Sequence, residues 1–135
     1  MYKRQLQAFI TDLRQDNAPL TACLDKAAQL KDAVSGAALV VNTTPVGMAQ
    51  HGNTKAMPLS AELWSSLRAE AILYDLIYTP RPTSWLAAGQ RQGHRCIDGL
   101  EMLVQQGAAS LRLWSGHDDV PIEAMRSAAL TALAT

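Results

Sequence analysis

Two short, mainly apolar runs, each stopped by polar residues and proline, most constrain what this chain can fold into. Ala37-Ala38-Leu39-Val40-Val41-Asn42 gives way to Thr43, Thr44, Pro45 and Gly47. Ala71-Ile72-Leu73-Tyr74-Asp75-Leu76-Ile77-Tyr78 gives way to Thr79, Pro80, Arg81 and Pro82, and proline cannot continue a hydrogen-bonded ladder. A strand with one wet face alternates apolar and polar residues. A run that is apolar at both parities fits a strand covered on both faces, as in a parallel sheet. His94-Arg95-Cys96-Ile97-Asp98 is a third, shorter strand candidate.

Helical patterns fall between and around these runs. Leu6, Phe9, Ile10 and Leu13 have helical spacing, and Asn17-Ala18-Pro19 breaks it. Leu24, Ala27, Ala28 and Val34 are only loosely periodic. Met48 to Leu59 reads as a loop, with Gly52 and Pro58, and a short helix is predicted over 61–67. Thr83 is placed to cap a helix through Trp85, Leu86, Ala87 and Ala88. Gly99 opens the longest periodic stretch, from Leu100 to Trp114, with Leu103, Val104, Leu111 and Trp114 apolar. After the turn Ser115-Gly116-His117-Asp118-Asp119, Pro121 suits the first turn of a last helix over 122–133. Strands alternating with helices imply an α/β layer with a parallel sheet.

Composition narrows the class of partner. Twelve basic and twelve acidic residues among 135 cancel, and Lys and Arg are scattered. No field points to nucleic acid or an anionic membrane. No run is long and apolar enough to cross a bilayer, and Met1 to Gln5 lacks the pattern of a signal peptide. Cys23 and Cys96 lie far apart without CxxC spacing, and His51, His94 and His117 are isolated, so neither a disulfide framework nor a metal site is expected. A reducing cytoplasm is the expected compartment.

The chemistry collects where the strands end. Asn42-Thr43-Thr44 closes the first, Asp75 and Tyr78 the second, Asp98-Gly99 the third. In open α/β sheets, ligands bind outside the carboxyl ends of the strands. Each residue also has a plainer reading: Thr43 and Thr44 as a turn, Tyr78 as a half-buried aromatic, Gly99 as a tight corner, Gln106 as a surface amide. Gly99 has a further argument, because it precedes a helix whose first amides are unpaired, and a residue without Cβ lets a ligand approach. The GxGxxG fingerprint is absent. No Ser-His-Asp or paired-carboxylate grouping emerges from spacing.

These segments resemble a known family. Asn42-Thr43-Thr44-Pro45-Val46-Gly47-Met48 is similar to the Asn-x-Thr-Pro-x-Gly-Met signature of shikimate dehydrogenases. Tyr74-Asp75-Leu76-Ile77-Tyr78-Thr79-Pro80 with Thr83 and Leu86 resembles the family's Asp-x-x-Tyr-x-Pro-x-x-Thr segment. Asp98-Gly99-Leu100-Glu101-Met102-Leu103-Val104-Gln105-Gln106-Gly107-Ala108 resembles its Asp-Gly-x-x-Met-Leu-x-x-Gln-(Gly/Ala)-Ala segment, and Leu113-Trp114-Ser115-Gly116 the motif after it. The resemblance covers residues from about 38 to 130, in the family's order.

The resemblance implies the second half of a Rossmann-like NADP-binding domain, with a parallel sheet and C-terminal helices, as an incomplete fold. Residues 1–115 would be the partial NADP-binding domain, long helix included, and 116–135 the C-terminal helix. The implied reaction is the NADP-dependent, reversible reduction of 3-dehydroshikimate to shikimate, in aromatic amino-acid biosynthesis. Tyr78 and Gln106 would bind substrate. Thr44, the backbone near Leu76, and Gly99 would line the nicotinamide end of NADP. Asn42 and Asp75 would hold the loops, and Asp98 the turn before Gly99. The family's catalytic domain, with its Lys and Asp proton-transfer pair, has no counterpart here, nor do its glycine-rich loop and 2′-phosphate-selecting segment. No catalytic residue is therefore expected in this chain, which reads as a fragment inactive alone and of marginal stability, from a parent expected to dimerise. The alternatives are an NAD-using quinate/shikimate dehydrogenase and a non-catalytic remnant acting as a binding module.

Overall fold

The computed structural model describes residues 27–134. The helix expected around Leu6 to Leu13, and Cys23, lie outside the described residues. The chain divides into two compact units.

The smaller unit comprises the described residues up to Ala37 together with Ala61–Arg68. It holds helices α1 (Ala27–Gly36) and α2 (Ala61–Trp64). Helix α1 is where periodicity was weakest. Its Ala, Gln, Leu and Lys content favours helix without an apolar stripe, and among its described side chains only Val34 is buried. Helix α2 is shorter than the predicted 61–67, because the hydroxyls of Ser65 and Ser66 both donate to the Glu62 carbonyl at 2.8 and 3.0 Å. Such local bonds compete with helix continuation.

The larger unit, Ala38–Ser60 with Ala69 onward, holds the sheet. Strands β1 (Leu39–Asn42), β2 (Ile72–Asp75) and β3 (Cys96–Ile97) run parallel in the order β1-β2-β3. Leu39 pairs with Ile72 and Asn42 with Asp75; Leu73 pairs with Cys96. All three strands are shorter than the apolar runs that announce them. Beyond Asp75 the Leu76 amide still reaches the Asn42 carbonyl, but the Ile77 amide is taken by the Asp75 side chain.

Parallel register puts Val40, Asn42, Leu73, Asp75 and Cys96 at one parity. Helix α3 (Ser84–Arg91) packs on β2 and β3, burying Trp85, Leu86, Leu73 and Asp75. Gly89 allows this approach, since a Cβ there would meet Leu73 Cδ1 and Cys96 Sγ. Thr83 caps α3 as expected, its hydroxyl accepting from Leu86 N at 3.3 Å. The opposite parity is less well covered: Leu39 is 51% and Val41 40% exposed. The expectation of two covered faces is thus met on one face among the described residues.

Helix α4 (Leu100–Ser115) buries Leu100, Val104 and Ala108, one turn apart along one stripe. Helix α5 (Ile122–Leu133) packs against it, held by a two-pronged bond from Arg126 to Glu101 at 2.8 and 2.7 Å. Leu113 and Trp114 stay 82% and 80% exposed. The apolar periodicity that extends to Trp114 is therefore not wholly a core stripe.

Candidate functional site

The carboxyl edge of the sheet is built around a buried carboxylate. Asp75 is fully buried. Its Oδ1 accepts from Asn42 Nδ2 at 3.0 Å and from the Ile77 amide at 3.1 Å, and its Oδ2 from the Thr83 hydroxyl at 2.8 Å. A polar group taken out of water is costly unless its hydrogen-bonding capacity is satisfied. Here three donors come from three segments, so Asp75 ties β1, the exit of β2 and the cap of α3 together.

Asn42 passes this order to the next loop. Its Nδ2 also donates to the Val46 carbonyl at 3.3 Å, while its Oδ1 accepts from the Thr44 amide at 3.1 Å and the Thr44 hydroxyl at 2.7 Å. Thr44 is exposed but its rotamer is fixed from below. The Leu76 amide donates to the Asn42 carbonyl at 3.1 Å, joining the ends of β1 and β2. Two longer-range bonds fasten the loop after β1 onto the one after β2: Ala49 N to the Thr79 carbonyl at 3.1 Å, and Ser84 Oγ to the Thr54 carbonyl at 2.8 Å.

Gly99 enters from β3. It is buried, and its amide donates to the Ile77 carbonyl at 3.1 Å. An added Cβ would collide with the carbonyl of Leu76. The close approach that glycine permits here is therefore to the backbone of Leu76. The neighbouring Asp98 accepts from the Leu100 amide through Oδ1 at 3.1 Å and from Arg81 Nε through Oδ2 at 2.6 Å.

Of the residues singled out in the sequence, Thr44, Leu76 and Gly99 are brought to one edge by this network. Tyr78 is half-buried beside them in the loop after Ile77. Gln106 lies roughly two turns into α4, exposed, with its amide donating back to the Leu103 carbonyl at 3.0 Å. Sequence reasoning missed Arg81 and Trp85. Trp85 is 1% exposed, and its indole Nε1 is the buried side-chain polar atom left without a partner among the described residues. It lines a cleft of about 160 Å³ with Val40, Asn42, Thr43, Thr44 and Leu59. Neither residue belonged to a recognisable motif, and only packing reveals them.

This edge presents neutral polar groups and backbone more than a cluster of cations. Thr43 and Thr44 line the same cleft as Trp85. Segments 42–48, 76–78 and 98–99 contain no Lys or Arg, and Arg81 at this edge is paired with Asp98. Among the described residues, no three of His, Cys, Asp or Glu stand close enough to hold a metal, and no helix is long and apolar enough to cross a membrane.

A three-stranded parallel sheet, a helix packed on one face and polar residues gathered at its carboxyl ends define part of a Rossmann-like nucleotide-binding layer. Residues 99–130 match the family model described as the shikimate 5′-dehydrogenase C-terminal domain. A shikimate dehydrogenase (NADP(+)) of Trichormus variabilis is 48% identical over 118 residues, covering 84% of this chain and 39% of that protein. The solved shikimate 5-dehydrogenase of Thermus thermophilus, in complex with NADP(H) and shikimate, is 36% identical with a TM-score of 0.65, covering 77% of this chain and 37% of that one. A quinate dehydrogenase of Corynebacterium glutamicum in complex with NAD is 28% identical with a TM-score of 0.64, covering 78% of this chain and 35% of that one. The chain is similar over most of its length to part of these proteins, and it spans well under half their length.

Proposed function

We propose that this chain forms the cofactor-side wall of an NADP-dependent shikimate dehydrogenase. The observation that carries the reading is the joining of three strand ends. Leu76 is bonded to Asn42, and Gly99 is pressed on the Leu76 carbonyl. That arrangement leaves Thr44, the Leu76 backbone and Gly99 to line the nicotinamide end of NADP. When bound, the cofactor supplies the hydride for 3-dehydroshikimate or receives it from shikimate. The chain's own task is to hold that end in a near-attack position, where small displacements cost large factors in rate.

Tyr78 and Gln106 are proposed as the substrate contacts. Both donate and accept, which suits a ring bearing several hydroxyls, and Gln106 is bonded only within its own helix, through Leu103. The proton that accompanies the hydride is assigned to no residue here. The 135 residues are expected to be inactive by themselves, within a homodimeric whole. A cytoplasmic setting fits the free Cys96 thiol.

A second reading, an NAD-using quinate/shikimate enzyme, is favoured by the likeness to the quinate dehydrogenase. A hybrid separates these readings. In it, this chain replaces the matching segment of the Trichormus variabilis relative. The account expects NADP-dependent oxidation of shikimate by the hybrid. Preference for quinate would favour the second reading, and a folded hybrid that oxidises neither would reject both.

A further inference from the structure

We infer that Arg81 is a positioning residue, setting the distance between the substrate and cofactor halves of this site; the inference rests on the functional reading above. Arg81 follows Tyr78 closely, on the loop that leaves β2. Its Nε donates to Asp98 Oδ2 at 2.6 Å. The other oxygen of the same carboxylate holds the Leu100 amide at 3.1 Å, in the first turn of α4. Between these residues sits Gly99, whose amide reaches the Ile77 carbonyl at 3.1 Å. One carboxylate therefore clamps the Tyr78 loop to the helix that carries Gln106, with Gly99 in the middle.

Location and exposure together argue for a geometric role. The two side chains are 34% and 23% exposed, and a cleft of about 300 Å³ opens beside them, lined by Pro82, Leu86, Gln90 and Cys96 as well. A water-accessible ion pair adds little to global stability. Its effect is local: beyond the ends of β2 at Asp75 and β3 at Ile97, it adds a side-chain tie to the backbone bond between Gly99 and Ile77. The planar guanidinium loses little freedom per bond formed, so it holds a fixed angle better than an ammonium.

The test uses the same hybrid, carrying Arg81→Ala and, separately, Arg81→Lys. Arg81→Ala should raise the KM for shikimate roughly tenfold while the KM for NADP changes less than about twofold, as a small misplacement predicts. Arg81→Lys should recover part of the loss. The Gly99 amide should exchange with solvent at least about tenfold faster in Arg81→Ala, while the Leu73 amide, bonded to the Arg95 carbonyl, keeps its protection. Equal losses for both ligands, or unchanged exchange at Gly99, would overturn the inference. An inactive but folded unsubstituted hybrid would reject the functional reading instead, and exchange at Gly99 would still decide whether Arg81 sets the loop.

Discussion

Asn42 and Asp75 face each other as the last paired residues of β1 and β2, and the Asn42 amide donates to the Asp75 carboxylate at 3.0 Å within the protein interior. Everything at the carboxyl edge depends on this pair. Asp75→Ala strips a buried acceptor from Asn42, Ile77 and Thr83 at once. Leaving such donors unmet should cost about 3 kcal/mol or more, read by denaturant unfolding of the hybrid. Asn42→Ala removes four bonds, but three of them lie in the part-buried loop at Thr44 and Val46, so it should cost less, about 2 kcal/mol. A loss below about 0.5 kcal/mol for Asp75→Ala would show that the network is not needed.

Gly99→Ala should be worse than an ordinary glycine substitution. Its φ of −77° is open to any residue, so the backbone conformation is not at issue. The new methyl would meet the Leu76 carbonyl, and a carbonyl in a bonded loop cannot move aside as a side chain can. Overpacking of this kind costs about 1–3 kcal/mol. The account predicts that cost in unfolding, together with a weaker affinity for NADP measured by calorimetry.

The contact between α4 and α5 should depend on acid. Arg126 holds the Glu101 carboxyl down at about 2, through its hydrogen bonds first and with help from Gln105. A lowered pKa means the contribution is fully present above the unfolded value near 4.5 and is lost as pH falls toward 2. The pair is exposed, so salt should weaken it. Carbon-detected titration of Glu101 should show the low midpoint, and Arg126→Ala should return it to the ordinary range.

The 135 residues alone should bind the dye ANS and melt broadly. Leu39 and Val41 on the sheet and Leu113 and Trp114 on α4 present apolar surface to water. A sharp cooperative melt of a monomer without dye binding would contradict this expectation. In the hybrid, both signs should disappear.

Much of this was legible in the sequence, for physical reasons. The strands announced themselves because Leu39 to Val41 and Ile72 to Tyr74 are apolar or aromatic at both parities, and the Thr83 cap and the 122–133 helix followed from local chemistry. Strand ends were less legible. The run through Ile77 is as apolar as the strand itself, and what stops β2 is the claim of Asp75 on the Ile77 amide. Gly99 was singled out for approach by a ligand, but the space a Cβ would take there is filled by the Leu76 carbonyl, as its plainer reading as a tight corner expects. Trp85 was read only as part of the helix after Thr83 and Arg81 only as part of the segment that ends the second run; neither was assigned a role until its surroundings were placed.

The central claim is that Thr44, Leu76 and Gly99 receive the nicotinamide end of NADP. Amide chemical shifts of the hybrid, titrated with NADP and then with 2′-phospho-ADP-ribose, which lacks the nicotinamide, test it most directly. The account predicts that the amides of Thr44, Leu76 and Gly99 move with NADP and stay within noise with the truncated ligand. Equal shifts with both ligands, or none with NADP while binding is saturated, would contradict it.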